Sequence, residues 1–370
     1  MTTWYNSPPS FLQEELFKIA KHLFQPGKGI LGADESIASM SRKFHKIGIE
    51  DGEETRRQWR QLLFKTEGIE QYVSGVILCP ETIGQETDEG VKFVDYLRSK
   101  GIVSGVKLDM GMVPFVSSFC EPITVGLENL SEKCALFKKE GIHFAKWRCV
   151  LKVGATTPRW VTIKENAIIL ARYATICQEN RLVPIVEPDI EQEGKHSLER
   201  GQKVAETVFA QLFQMLQQYH VFFDGMILKV NMVSAGMMCP RIFDSDQIAK
   251  ATMEALTRTV PAAVMGISFL AGSFEDTEAT KHLNAVVRCV SRRPWYINFS
   301  FSRALSYTVL DIWRGNVEAI EEAQKQLLRR LKDCSLASLG KYNDIEEIKL
   351  PEDEEQIPTH QYYENMPRNL

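Results

Sequence analysis

Eight short apolar runs recur along the 370-residue chain, and most deliver a polar residue at their C-terminal end, a rhythm that few folds accept. The runs cover residues 29–33, 72–78, 105–108, 144–150, 183–186, 225–228, 264–269 and 296–299. Such runs suit strands covered on both faces. The connecting segments 160–178, 198–218 and 244–259 carry apolar residues at helical spacing, so a strand–helix unit repeats every roughly 30 to 45 residues. Right-handed crossovers make such strands parallel. The polar residues at the strand ends choose between the two parallel architectures. Asp34, Glu81, Lys107, Lys146, Glu187, Lys229, Ser268 and Ser300 with Arg303 are spread over almost every strand. An open sheet gathers its ligand-facing residues at one switch point, whereas a closed barrel draws on all its loops. The expected fold is therefore α/β, a single (β/α)8 or TIM barrel.

The flanks add two features. Leu12, Leu16, Ile19 and Leu23 recur at helical spacing behind Ser10, which predicts an amphipathic N-terminal helix capped by Ser10 and ended by Pro26-Gly27. Glu53 to Phe64 is an Arg-rich helical stretch, and residues 316–336 predict a strong amphipathic helix after the barrel. Composition then changes: Glu352-Asp-Glu-Glu355 and few apolar residues make 341–370 a flexible C-terminal tail appended to a barrel domain of residues 1–340.

Bulk properties exclude several classes. A net charge of -4 disfavours a nucleic-acid binder, which shows a basic face or stripe. Eight cysteines without a C-x-x-C pair indicate neither a zinc framework nor a disulfide scaffold, and suit a reducing cytosol. No export signal and no membrane-spanning run is expected. Gly27-Lys-Gly-Ile-Leu-Gly32 matches G-x-G-x-x-G, but the predicted strand overlaps the glycines instead of preceding them, so the dinucleotide reading fails. Asn298-Phe-Ser300 matches a glycosylation triplet on a strand predicted to be buried.

The chemistry is concentrated in lysines. Val103-Ser-Gly-Val-Lys107, Phe144-Ala-Lys146-Trp-Arg148 and Gly225-Met-Ile-Leu-Lys229-Val-Asn each interrupt an apolar run with a cation. Strongly hydrated ammonium groups do not enter strands without a partner or a task. Like charges in one low-dielectric space repel, so one lysine releases its proton readily and becomes a nucleophile. Strand alternation turns Lys229 with Ile227, Lys146 with Phe144 and Arg148, and Glu187 with Ile185 toward the lumen. The seven histidines form no H-E-x-x-H or H-x-x-x-H pair, so no metal and no cofactor is implied, and an imine at Lys229 is the expected electron sink. Lys146 would discourage protonation of Lys229. Glu187 would exchange protons with the carbinolamine and a substrate hydroxyl, and Asp34 would hold or deprotonate a second hydroxyl. The bland alternative is a buried ion network that merely closes the barrel.

Leu228-Lys-Val-Asn-Met-Val233, Gly32-Ala-Asp-Glu-Ser36, Phe144-Ala-Lys-Trp-Arg-Cys-Val-Leu-Lys152 and Val183-Pro-Ile-Val-Glu-Pro-Asp189 together resemble class I fructose-bisphosphate aldolase, from about Phe11 to Tyr342. The resemblance implies a metal-independent glycolytic lyase splitting fructose 1,6-bisphosphate into dihydroxyacetone phosphate and glyceraldehyde 3-phosphate, and a cytosolic homotetramer. It makes Lys229 the Schiff-base lysine, Glu187 the general acid and base, and Asp34 and Lys146 its partners. By the same resemblance Ser36, Ser39, Arg42, Lys107, Arg148, Gly272, Ser300 and Arg303 hold a phosphorylated ketose, and Tyr363 stands for the tail tyrosine that visits the site.

Several positions depart from the family. Its S-G-G loop is Ala271-Gly272-Ser273 here, its S-Y-G-R is Ser300-Phe-Ser-Arg303, the usual Thr-Gly after Ser36 is absent, and Val230 replaces a proline. Loss of a hydroxyl at 271 removes a hydrogen bond to a charged group, about 1.5 to 3 kcal/mol. That corresponds to roughly ten- to a hundredfold in affinity. Seven residues follow Tyr363 where family chains end. Three readings follow: an active aldolase with altered phosphate demand, a weakened paralogue serving as a binding or scaffold protein, and another Schiff-base or transaldolase-like lyase.

Overall fold

A computed structural model describes residues 8–115, 118–291 and 293–343. Eight parallel strands neighbour one another in the order β1 (Gly29–Ala33), β2 (Val73–Leu78), β3 (Val103–Lys107), β6 (Phe144–Leu151), β7 (Val183–Ile190), β8 (Ile227–Asn231), β9 (Gly266–Leu270) and β10 (Tyr296–Phe299). The Gly32 amide donates to Phe301 O at 2.8 Å, which ties the first strand to the end of the last and nearly closes the barrel. The runs at 144–150 and 183–186 extend to Leu151 and Ile190, because their polar ends stay in the sheet.

A hairpin that the sequence did not announce leaves the barrel after β3. Strands β4 (Met112–Phe115) and β5 (Ser118–Thr124) pair antiparallel. Pro114 and Pro122 break the apolar pattern, and proline is tolerated here because the ribbon has two free edges.

The outer layer comprises α1 (Ser10–His22), α2 (Ile37–Lys46), α3 (Glu53–Phe64), α4 (Pro80–Ile83), α5 (Phe93–Ser99), α6 (Leu130–Lys139), α7 (Trp160–Glu179), α8 (Leu198–Gln218), α9 (Ser245–Thr259), α10 (Asp276–Arg288), α11 (Arg303–Trp313) and α12 (Ile320–Ser338). Ser10 is not the cap of α1. Pro9 holds that position without a side-chain bond, and Ser10 is already helical. The last helix begins later than its periodicity suggests, because Asn316 accepts from the Glu318 amide and holds a 3-10 turn over Val317–Ala319. No helix among the described residues is long and apolar enough to cross a membrane. The expected tail and Tyr363 lie outside the described residues from 344 onward.

Two apolar cores result. The larger lies between the sheet and the helices. The smaller fills the lower lumen, where Ile30, Ile77, Phe144, Ile185 and Ile227 meet Leu12, Leu16, Ala20 and Leu23 from α1 and the turn that ends it. Ser74 Oγ and Asn298 Nδ2 both donate to Leu23 O, at 2.8 and 2.9 Å. Helix α1 therefore seals the N-terminal end. Polar residues that follow these apolar ones on the same strand faces rise toward the opposite mouth.

Candidate active site

Parallel register sets the height of each polar side chain in the lumen. Glu187 pairs in register with Arg148, Lys229 with Ser268, and Ser268 with Asn298, so residues from five different strands stand above the apolar floor. Lys146 lies level with Ile185, one layer lower. Its long side chain reaches up.

Asp34, Lys146, Glu187 and Lys229 come together there, all at least nine-tenths buried. Lys146 Nζ donates to Asp34 Oδ2 at 3.0 Å and lies 3.1 Å from Glu187 Oε2. Lys229 Nζ is 3.6 Å from that same oxygen. Strands β1 and β6 are not neighbours, so the Asp34 contact crosses the lumen. Glu187 Oε2 sits between two amines with hydrogen-bond geometry to neither, and is a buried acceptor without a hydrogen bond among the described residues.

The two lysines are driven in opposite directions. Burial works against the charge on Lys146, but Asp34 and then Glu187 outweigh it, and its pKa rises above the ordinary lysine value. At Lys229 burial dominates. Glu187 and Asp34 oppose it, Lys146 and Arg148 add to it, and the pKa falls. Burial also works against ionisation of Asp34, yet Lys146 and Lys229 keep its carboxyl below the usual range. The pocket thus holds one firmly charged lysine beside one that gives up its proton more easily. It can form an imine at Lys229 and exchange protons at Glu187 and Asp34.

Around this centre runs a polar rim. Arg148 Nε donates to Asp189 Oδ2 at 2.6 Å, and Asn231 Nδ2 donates to Asp189 Oδ1 at 2.9 Å while its Oδ1 accepts from the Ile190 amide at 2.8 Å. Gln192 Oε1 accepts from the Ser273 amide at 2.8 Å, and Arg303 donates to Gly272 O. Gly272 has φ +62° and no room for a Cβ, which would lie 2.0 Å from Gln192 Oε1, so only glycine fits. Ser300 Oγ is buried and has no hydrogen-bond partner among the described residues.

Other expected site residues stand apart from the centre. Lys107 is half-buried and pairs with Asp109 at 2.6 Å, so the lumen holds two fully buried lysines and not three. Glu81 turns outward to Arg56 at 2.7 Å. Ser36 is exposed and caps α2 by accepting from the Ser39 amide at 3.3 Å; Ser39 is half-buried. Arg42 is exposed and has no partner among the described residues. Its neighbour Lys43 instead reaches Glu35 at 2.7 Å, where Arg60 joins at 2.9 Å and Ser302 Oγ donates at 3.0 Å. Burial opposes the charge on Glu35, but Lys43 and Arg60 drive its pKa far below the carboxylate norm.

Asp109, Asp189, Asn231, Gln192 and Glu35 were not anticipated. For three of them the signal existed: Asp109, Asp189 and Asn231 each lie two residues beyond an expected site residue and so share its face. Gln192 and Glu35 lie in loops, where no period applies.

Comparison with known proteins places these residues in context. A family model described as Fructose-bisphosphate aldolase class-I matches residues 15–363. A fructose-bisphosphate aldolase of Drosophila melanogaster is 48% identical over 343 residues, 92% of this chain and 95% of that protein. Fructose-bisphosphate aldolase C of Homo sapiens is 46% identical over 331 residues, 89% of this chain and 91% of its own. Among solved structures, the fructose-bisphosphate aldolase from Plasmodium falciparum, in a ternary complex with TRAP and a small-molecule inhibitor, is similar at a TM-score of 0.90 and 40% identity, over 92% of this chain and 98% of that one.

Proposed function

The chain belongs to the class I fructose-bisphosphate aldolases, a family of lyases, and from that premise we propose that it cleaves fructose 1,6-bisphosphate reversibly through an imine at Lys229. The carrying observation is the opposed titration of two neighbouring lysines, Lys229 lowered and Lys146 raised, around a single Glu187 oxygen. The relatives are named as enzymes, and no observation favours a non-catalytic scaffold.

The neutral Lys229 amine attacks the ketone carbon of the substrate, and one of the nitrogen's protons passes by way of Glu187 to the carbonyl oxygen to give a neutral carbinolamine. Glu187, once protonated, gives the carbinolamine hydroxyl the proton it needs to leave as water. The resulting cationic imine is the electron sink. Asp34 takes the proton of the hydroxyl two carbons from the imine carbon, that C–O becomes a carbonyl, the adjacent carbon–carbon bond breaks, and its electron pair passes to the imine as an enamine. Lys146 keeps its charge throughout, which stabilises the Asp34 and Glu187 carboxylates and disfavours a second proton on Lys229. Protonation of the enamine and hydrolysis release dihydroxyacetone phosphate after glyceraldehyde 3-phosphate.

For the phosphates we assign Gly272, Ser300 and Arg303 to one group and Ser36, Ser39, Arg42, Lys107 and Arg148 to the rest of the substrate. Arg303 supplies a fork of donors, and the unpartnered Ser300 hydroxyl supplies another. Family membership supports a glycolytic role, a cytoplasmic homotetramer, and one catalytic unit over 1–340 with an arm at 341–370 that carries Tyr363. Sedimentation of the purified chain tests the tetramer, and deletion from residue 344 tests the arm.

Reduction with borohydride in the presence of fructose 1,6-bisphosphate is expected to attach a triose phosphate to Lys229, read by peptide mass spectrometry. Turnover without that adduct, or an adduct at Lys146, would falsify the assignment.

A further inference from the structure

Gln192 is a buried amide at a junction of three strand ends. It follows β7, its Nε2 donates to Met232 O beyond β8 at 3.3 Å, and its Oε1 accepts from the Ser273 amide beyond β9 at 2.8 Å. Its own carbonyl accepts from the Met237 amide at 2.9 Å. Both ends of the side chain are thus engaged, and only 5% of the residue is exposed.

We propose that Gln192 is the positioning residue that sets the phosphate affinity of the loop Ala271-Gly272-Ser273, a role that rests on the phosphate assignment of Gly272 and Arg303 above. The loop is held from two sides. Gln192 grips the Ser273 amide from the barrel wall, and Arg303 grips the Gly272 carbonyl from the mouth. The Gly272 carbonyl and the Ser273 amide belong to one peptide unit, so Arg303 and Gln192 together fix the orientation of that unit, next to a glycine at φ +62°. An anion that must align backbone amides loses affinity when those amides are free to turn, because it then has to order them itself.

The identity of the side chain also matters. A glutamine accepts from the Ser273 amide without adding charge, whereas a glutamate would do so with a negative charge beside a dianion. Ala271 offers no hydroxyl to a phosphate, so backbone amides carry more of the binding in this chain. Gln192 therefore acts on phosphorylated ligands and leaves the imine chemistry at Lys229 alone.

Gln192→Met keeps length and burial but removes both the acceptor for the Ser273 amide and the donor to Met232 O. Calorimetric titration with inorganic phosphate is expected to show binding weakened about five- to tenfold, the scale of the one hydrogen bond lost to the loop. KM for fructose 1,6-bisphosphate should rise by a similar factor at nearly unchanged kcat. Borohydride trapping of Lys229 by unphosphorylated dihydroxyacetone should match the parent protein. Should the methionine variant not fold, Gln192→Glu retains the acceptor for the Ser273 amide while losing the donor to Met232 O; it is expected to lose inorganic phosphate more severely with dihydroxyacetone trapping intact. Parent-like phosphate binding in the variant that folds overturns the proposal, as does an equal loss for dihydroxyacetone and its phosphate. Absence of trapping in the parent protein would count against the imine at Lys229 alone, since the phosphate titration judges Gln192 without it.

Discussion

Two lysines that share an oxygen of Glu187 end with opposite tendencies because their other neighbours differ. Lys146 has Asp34 as a hydrogen-bonded partner, while Lys229 has only the longer contact to Glu187. Replacing Lys146 by Met removes a repelling cation and leaves two carboxylates without their nearest partner. The pKa of Lys229 should then rise, and the pH profile of its acylation by an amine reagent should move to higher pH. Glu187→Gln is expected to lower kcat by about 10²- to 10⁴-fold with little change in fold, checked by steady-state kinetics and circular dichroism. The lowered pKa of Lys229 also bears on stability. Its folded value lies below its unfolded one, so the unfolded chain holds the extra proton in the window between them, and this lysine's contribution to stability rises with pH there and is at its worst below it. Lys229→Met should therefore be more stable than the parent at about pH 7, by an amount that shrinks as pH climbs toward the unfolded lysine value, read from urea melts. Lys229, Glu187 and Lys146 were legible because alternation along a strand fixes which face a residue joins. The partial exposure of Lys107 was not legible, because it depends on the pairing with Asp109 two residues on. The exposure of Arg42 depends on how α2 is rotated, which helical spacing leaves open.

Elements were legible where a short, largely apolar run recurred. All eight barrel strands could be named, since each is such a run and mostly or partly buried. The β4–β5 ribbon could not, because β4 is largely exposed and the ribbon carries two prolines. Register inside the barrel is enforced by size as well as polarity. A Cβ at Gly105 would lie 2.2 Å from the Phe144 ring, so the glycine makes room for a large lumen-floor side chain. Gly105→Ala is expected to cost about 1 to 3 kcal/mol, measured by denaturant unfolding. Adding Phe144→Leu should return part of that loss, because the smaller side chain vacates the clash; additive costs in the double variant would contradict the packing account.

At the scale of the molecule, charge is unevenly spread. The chain carries -4 overall, yet around the mouth the cations Lys43, Arg60, Lys107, Lys146, Arg148, Lys229 and Arg303 outnumber the carboxylates Asp34, Glu35, Asp109, Glu187 and Asp189. A local positive field in an acidic protein draws dianions to one place. KM for the bisphosphate should accordingly rise a few-fold as ionic strength goes from about 0.05 to 0.5 M, and less for a monophosphate, in coupled assays. Net charge alone gave no hint of this. The asymmetry becomes visible only when the strand order gathers residues distant in the chain.

The floor formed by Leu12, Leu16, Phe144 and Ile227 has a bearing on traffic. With the lower end stoppered, reactant, both halves of the broken sugar, and every water molecule must use the same doorway. On the proposed imine mechanism the fragment bonded to Lys229 must wait for hydrolysis while the other is already free, so departure is sequential, and a queue at the exit can limit turnover even when bond breaking is fast.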